Sequence, residues 1–129
     1  GADKIAFETI VASGSNGAKP HAQVTDKKIK TGELVTIDFG ASYRGYLADM
    51  TRTVAIGKVS PKLLEMYDVV QKAQQLGCAS AKAGITGKAL DTICRQYIEK
   101  RGYGTYFCIR LATAWAWRYT SCRMCRLPM

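Results

Sequence analysis

The chain has 129 residues, of which 47% are hydrophobic and 22% are charged, and its formal net charge is +9. This composition is typical of one folded domain with its own core and excludes an intrinsically disordered chain. No apolar run approaches the ~18 residues that a membrane helix requires, so we expect no membrane partner. Five cysteines, an odd number, without a secretory signal favour a reducing, cytoplasmic location.

The positive charge does not follow the pattern of a nucleic-acid-binding surface. Residues 108–129 carry four arginines and no acidic residue, and the remaining positive charge is scattered over residues 1–107. A nucleic-acid site needs basic residues gathered in a patch or stripe, whereas scattered lysines are usually a solvated surface. We therefore expect no nucleic-acid partner.

The first half of the chain predicts β-structure. Residues 4–12 are apolar and β-branched, which indicates a strand, and a Ser- and Gly-rich loop follows and runs through Pro20 and His21. Leu34 to Phe39 alternates between two faces, and residues 47–56 predict a returning strand. The turn between them lies within residues 43–45, so the two strands form a hairpin.

Two amphipathic helices follow. Ser60 and Pro61 are typical of a helix start, and Gly84 is expected to end that helix. Thr86 is expected to cap a second helix that stops at Gly102, and a further strand should come next. The predicted apolar faces consist of Leu63, Met66, Tyr67, Val70, Ala73 and Leu76 or Gly77 on the first helix, and of Leu90, Ile93, Cys94, Tyr97 and Ile98 on the second. This order of elements predicts an α+β fold.

The candidate site is a pair of aspartates on the hairpin. If the turn is at Tyr43-Arg44, Asp38 lies opposite Asp49; if it is at Arg44-Gly45, the two are diagonal neighbours. Either register puts both carboxylates on one face, about 4.5–5.5 Å apart at Cβ if opposite and about 7–8 Å if diagonal.

Two like charges so placed repel each other, so something must neutralise them. A shared proton, a nearby arginine or divalent cations would do so, and two cations about 3.5–4 Å apart need a bridging carboxylate and a second one on one ion. The alternative is that both aspartates are exposed and paired with Arg44 or Arg52. His21, the only histidine, is either a surface or a catalytic residue. Three hydroxyl residues either support the carboxylates or are ordinary strand residues: Tyr46, Thr51 and Thr53.

Residues 35–57, VTIDFGASYRGYLADMTRTVAIG, resemble the signature hairpin of the pita-bread metallopeptidases. This group includes Xaa-Pro dipeptidase (prolidase), aminopeptidase P, methionine aminopeptidase and creatinase. The segment FETIVASG at residues 7–14, followed by Pro20-His21, is similar to the upstream segment of the Xaa-Pro branch. The resemblance extends over residues 4–107 and implies a partial pita-bread fold, with an antiparallel sheet and two amphipathic helices.

The resemblance also implies roles for particular residues. Asp38 matches an aspartate that chelates one metal ion, Asp49 matches the aspartate that bridges two ions, and His21 matches a loop histidine that contacts substrate. Two divalent ions are implied, manganese first and cobalt or zinc as alternatives. The implied reaction is hydrolysis of Xaa-Pro dipeptides, or of N-terminal Xaa-Pro bonds in peptides, by a water activated by both metals.

The chain departs from the family pattern after Phe107. The family supplies a histidine ligand in a motif H-x-T-G-H-G-x-G-L-x-x-H-E and two later glutamates, but residues 108–129 contain no His, Asp or Glu. We therefore expect residues 1–107 to be a partial catalytic domain, residues 108–129 an aberrant tail, and the chain by itself inactive. Uncovered sheet edges favour a homodimer or a self-associated fragment. The alternative function is a non-catalytic binding module on this fold, with a protein or nucleic-acid partner.

The tail at residues 108–129 is compatible with a frameshift, in which the coding sequence of a family member is read one base out of frame. If one G is restored after the codon for Phe107, the shifted frame, with free choice at wobble positions, encodes V-H-S-T-G-H-G-L-G-L-E-V-H-E-L-P-D-V. The glycine between the codons of Trp115 and Trp117 is forced rather than chosen. The shifted frame thus supplies the missing histidine motif.

Sequencing the coding DNA around codon 107 tests this frameshift. We expect a single-base deletion near codon 108, with codons in the neighbouring frame that spell the histidine motif. Codons for residues 108–129 that cannot produce that motif in any frame would refute the idea.

Overall fold

The computed structural model describes residues 1–107. The predicted tail at 108–129 lies outside these residues. The described part divides into two compact units, Gly1–Leu63 and residues 64–107. The first contains six strands and the second contains most of two α-helices, so the expected α+β class is confirmed. In place of the start of a further strand after Gly102, the chain forms a 3-10 helix at Gly104–Tyr106.

The strands form two antiparallel sheets in the first unit. They are β1 (Lys4–Ile5), β2 (Ile10–Ser13), β3 (Leu34–Phe39), β4 (Ala41–Tyr43), β5 (Tyr46–Leu47) and β6 (Met50–Ala55). One sheet has the order β1-β4-β5 and the other β2-β3-β6. The continuous strands predicted at 4–12 and 47–56 are therefore wrong in one respect, since both are interrupted. Each interruption lies where the chain passes from one sheet to the other, which an alternating pattern does not reveal.

The hairpin turns at Arg44 and Gly45. Both residues have positive φ, 49° and 83°, and Tyr43 pairs with Tyr46 across the turn. Two positive φ angles are the signature of a type I′ turn, whose twist suits a two-residue hairpin. The Arg44 amide also donates a hydrogen bond of 2.6 Å to Asp3 Oδ2. Of the two registers left open by the sequence, this turn selects the one that makes the aspartates diagonal neighbours.

The two helices are α1 (Pro61–Ser80) and α2 (Gly87–Lys100). Both predicted starts are confirmed, because Ser60 Oγ accepts from the Leu63 amide at 3.3 Å and Thr86 Oγ1 accepts from the Ala89 amide at 3.2 Å. Helix α1 ends before the predicted Gly84. Neither helix is long and apolar enough to cross a bilayer, and this holds for every helix within residues 1–107.

The second unit has a small core between its helices. Its buried members are Val69 and Ala73 of α1 and Cys94 and Ile98 of α2, and three aromatic residues pack against them: Tyr97, Tyr103 and Phe107. The predicted face of α2 is confirmed. The predicted face of α1 is wrong in part. It included Val70, which is 56% exposed, whereas the buried residue is Val69, which is 4% exposed. Adjacent valines fit two helical faces equally well, so periodicity alone could not choose between them.

The I′ turn makes a prediction about Gly45. An added Cβ there would meet no atom within 4 Å, so a substitution is penalised only by the backbone conformation. We expect Gly45→Ala to lower the free energy of unfolding by about 1–2 kcal/mol, measured by urea denaturation. Gly45→Asn is the matched control and should lose clearly less, because asparagine tolerates positive φ. Equal losses for both variants would contradict this assignment.

Candidate metal centre

The pairing of β3 with β6 brings the two aspartates together. Asp38 lies opposite Thr51 in the register of these strands, and Asp49 immediately precedes β6. The Asp49 and Asp38 carboxyls are close enough to share a hydrogen bond. Both residues are half-buried. The two carboxylates therefore lie side by side, as the diagonal register requires.

This proximity alters the acidity of one member of the pair. Burial raises the pKa of Asp49, and the charge of Asp38 and the hydrogen bond between the two carboxyls raise it further. Each cause disfavours a second negative charge at this position. The pair is consequently best satisfied by a proton shared between the carboxyls or by a cation.

Gly40 allows the Asp49 segment to approach the end of β3. The registers of the two hairpin arms place Gly40 across from Asp49. A Cβ on Gly40 would collide with the Ala48 carbonyl oxygen and would come within 2.7 Å of Phe7 Cε1. A carbonyl oxygen cannot move aside as a flexible side chain can, so only glycine fits. Sequence reasoning missed this role, although a glycine directly after a strand was a usable signal.

The arginines considered as partners do not neutralise the pair. The Arg52 guanidinium donates to the Thr51 carbonyl at 2.8 Å, and the Arg44 guanidinium lies 5.1 Å from the centroid of the Tyr43 ring. Within residues 1–107 neither forms an ion pair with the aspartates. The reading in which both aspartates are ordinary surface ion pairs is therefore wrong.

A threonine hydroxyl contacts the pair instead. Thr51 Oγ1 donates a hydrogen bond of 2.9 Å to Asp38 Oδ1. Further along the same face, Thr36 Oγ1 and Thr53 Oγ1 lie 3.5 Å apart and contact each other. Of the three hydroxyl residues weighed from the sequence, Thr51 thus contacts a carboxylate, whereas Tyr46 is 82% exposed near the hairpin tip.

His21 is not brought into a cluster with the aspartates. It is exposed in a turn that follows a 3-10 helix at Gly14–Ala18. In the part of the chain that the structure describes, no three His, Cys, Asp or Glu side chains are close enough to hold a metal ion. The described site therefore offers two carboxylates and no third donor of these types.

Two sets of side-chain contacts hold the loop that carries His21. Lys27 Nζ donates to both Glu33 carboxylate oxygens, at 2.9 and 2.8 Å, and to Ser13 Oγ at 2.9 Å. This ion pair lowers the pKa of Glu33. Nearer to His21, Asn16 Nδ2 donates to Thr25 Oγ1 at 3.2 Å. These contacts were not predictable from the sequence, because a loop has no periodic pattern that shows which of its side chains meet.

The donor chemistry fits part of a divalent-cation site. Carboxylate oxygens are hard ligands suited to manganese, and zinc and cobalt also accept them. The raised pKa of Asp49 indicates an electrostatic environment that a cation would relieve. Two carboxylates alone would leave most of the coordination shell to other ligands.

Comparisons with known proteins identify relatives of this chain. The Xaa-Pro dipeptidase of Pyrococcus horikoshii is 50% identical over 107 residues, which are 83% of this chain and 30% of that protein. The uncharacterized peptidase YqhT of Bacillus subtilis is 52% identical over the same length and shares. The chain thus spans about a third of the length of these relatives.

Solved structures of related enzymes also resemble this chain. The prolidase from Pyrococcus furiosus superposes with a TM-score of 0.80 at 47% identity, over 84% of this chain and 32% of that one. The likeness confirms the partial pita-bread fold expected from the hairpin. The model of metallopeptidase family M24 matches residues 1–112, and the chain therefore belongs to this family.

Proposed function

We propose that Asp38 and Asp49 are two carboxylate ligands of a two-cation centre that hydrolyses Xaa-Pro dipeptides. The observation that carries the proposal is the half-buried, side-by-side placement of these carboxyls, with no arginine paired to them within residues 1–107. The family membership and the Xaa-Pro dipeptidase among its relatives support the substrate class. Manganese is the preferred ion, with cobalt or zinc as alternatives.

Each residue has a separate task in this proposal. Asp38 and Asp49 would hold the two cations, with Asp49 shared between them and Asp38 on one, and His21 would contact the substrate from its loop. Bound cations would activate a water and polarise the scissile carbonyl. The protein itself holds both carboxylates in place before binding, through the register of β3 and β6 and through the close approach at Gly40.

These 129 residues are not expected to catalyse the reaction by themselves. Two carboxylates leave most cation ligands to water, so we expect weak binding of manganese and no useful turnover. A cytoplasmic location and self-association of the chain remain part of the proposal, the latter because unpaired strand edges favour association.

The stability of the chain reports on the charge pair. The raised pKa of Asp49 means that the folded state holds its proton more tightly than the unfolded state does. This contribution is present below the ordinary aspartate pKa and is lost as the pH rises through the raised value. With chelator at pH 7, we therefore expect Asp49→Asn to raise the melting temperature, and we expect the gain to vanish as the pH falls below that range.

Added manganese provides the second half of this experiment. Manganese should raise the melting temperature of the unmodified chain and have little effect on Asp49→Asn, because a ligand stabilises only the fold that binds it. Asp26→Asn, which changes an exposed loop residue, is the control and should respond like the unmodified chain. Equal stabilisation of all three proteins would show that manganese binds elsewhere.

Activity is tested on the protein encoded when the frame is restored after codon 107. With manganese it should cleave a Xaa-Pro dipeptide and leave the matching Xaa-Ala dipeptide intact. Asp49→Asn should lower kcat by on the order of a thousandfold. Turnover by the 129-residue chain at a comparable rate, or equal cleavage of both dipeptides, would overturn the proposed function.

A further inference from the structure

Thr51 is the neighbour of the aspartate pair whose side chain makes a defined contact with it. Its hydroxyl donates to Asp38 Oδ1 at 2.9 Å, and the two residues face each other across β3 and β6. A hydrogen bond from a hydroxyl to a carboxylate is charge-assisted and is stronger than one between neutral groups. The contact therefore favours one orientation of the Asp38 carboxylate, although Thr51 itself is exposed.

The geometry of threonine makes this restraint stiff. Its β-branched side chain has few allowed χ1 values, and both partners are fixed in a paired register. One oxygen of Asp38 accepts from Thr51. The Asp38 carboxyl also shares a hydrogen bond with Asp49. Thr51 is thus placed to hold Asp38 in the orientation in which its carboxyl meets that of Asp49.

We propose that Thr51 is a positioning residue, whose hydroxyl aligns Asp38 for cation binding without touching the cation. This inference rests on the proposed function for the cation, but the alignment of Asp38 can be measured without one. Groups that orient a metal ligand typically contribute 10–100-fold to affinity. A threonine that merely favours β-structure would contribute nothing of this kind.

The same face of the sheet supplies a matched control. Thr53 lies two residues along β6, and its hydroxyl contacts Thr36 Oγ1 at 3.5 Å rather than a carboxylate. Thr53→Val therefore removes a hydroxyl of the same type from the same strand and face. Thr51→Val removes the hydrogen bond to Asp38, Thr51→Ala removes it without the branched side chain, and Thr51→Ser retains it.

The first measurement is the χ1 distribution of Asp38 in the metal-free chain, from three-bond couplings by NMR. We expect a single rotamer in the unmodified chain, in Thr51→Ser and in Thr53→Val. Averaging among rotamers is expected in Thr51→Val and Thr51→Ala. A single, unchanged rotamer in both of these variants would overturn the inference, whatever the fate of the proposed function.

The second measurement is manganese affinity, by titration with detection of free manganese by electron paramagnetic resonance. Thr51→Val should weaken binding about 10–100-fold, whereas Thr51→Ser and Thr53→Val should stay within about threefold of the unmodified chain. Equal weakening in Thr51→Val and Thr53→Val would indicate a general effect on the sheet and refute the positioning role. If Asp49→Asn binds manganese as well as the unmodified chain does, the proposed function fails, and the rotamer measurement still decides the role of Thr51.

Discussion

The site depends on one electrostatic constraint: two carboxylates are held together on a half-buried face by strand pairing. The register of β3 with β6 keeps Asp38 and Asp49 as diagonal neighbours on one face, so the two carboxylates cannot separate. Burial raises the pKa of Asp49. A folded protein retains such a pair only when backbone pairing outweighs the repulsion, or when a ligand removes it. The hairpin turn, the glycine at the end of β3 and the threonine opposite Asp38 all serve to keep this arrangement.

Much of the fold was predictable because local signals agreed with tertiary structure. Ser60 and Thr86 marked helix starts, and the buried face of α2 followed from its spacing. The choice between two hairpin registers was not predictable, since it depends on positive φ at Arg44, a residue with no special preference for it. The prediction of the buried face of α1 was wrong in part because Val69 and Val70 are equally apolar, so the sequence does not show which of them is buried.

The candidate site was predictable in its residues and less so in its environment. The spacing of Asp38 and Asp49 placed both on one face in either register, and the family resemblance gave them roles. The contacts that support them were harder to predict. Gly40, for example, matters because it has no Cβ that would collide with the Ala48 carbonyl oxygen. Family membership rests on the match over residues 1–112. The ligand roles are a proposal for a chain that spans about a third of its relatives' length.

The Lys27 ammonium has a consequence for how the loop tolerates change. Because it joins Ser13 at the end of β2 to Glu33 just before β3, it closes residues 13–33 into a non-covalent ring. Insertions or deletions within residues 19–26 would change the length of this closed loop without shifting β2 or β3. The Lys27 contacts thus preserve the spacing of the strands that carry Asp38 even where the conformation of the segment around His21 changes.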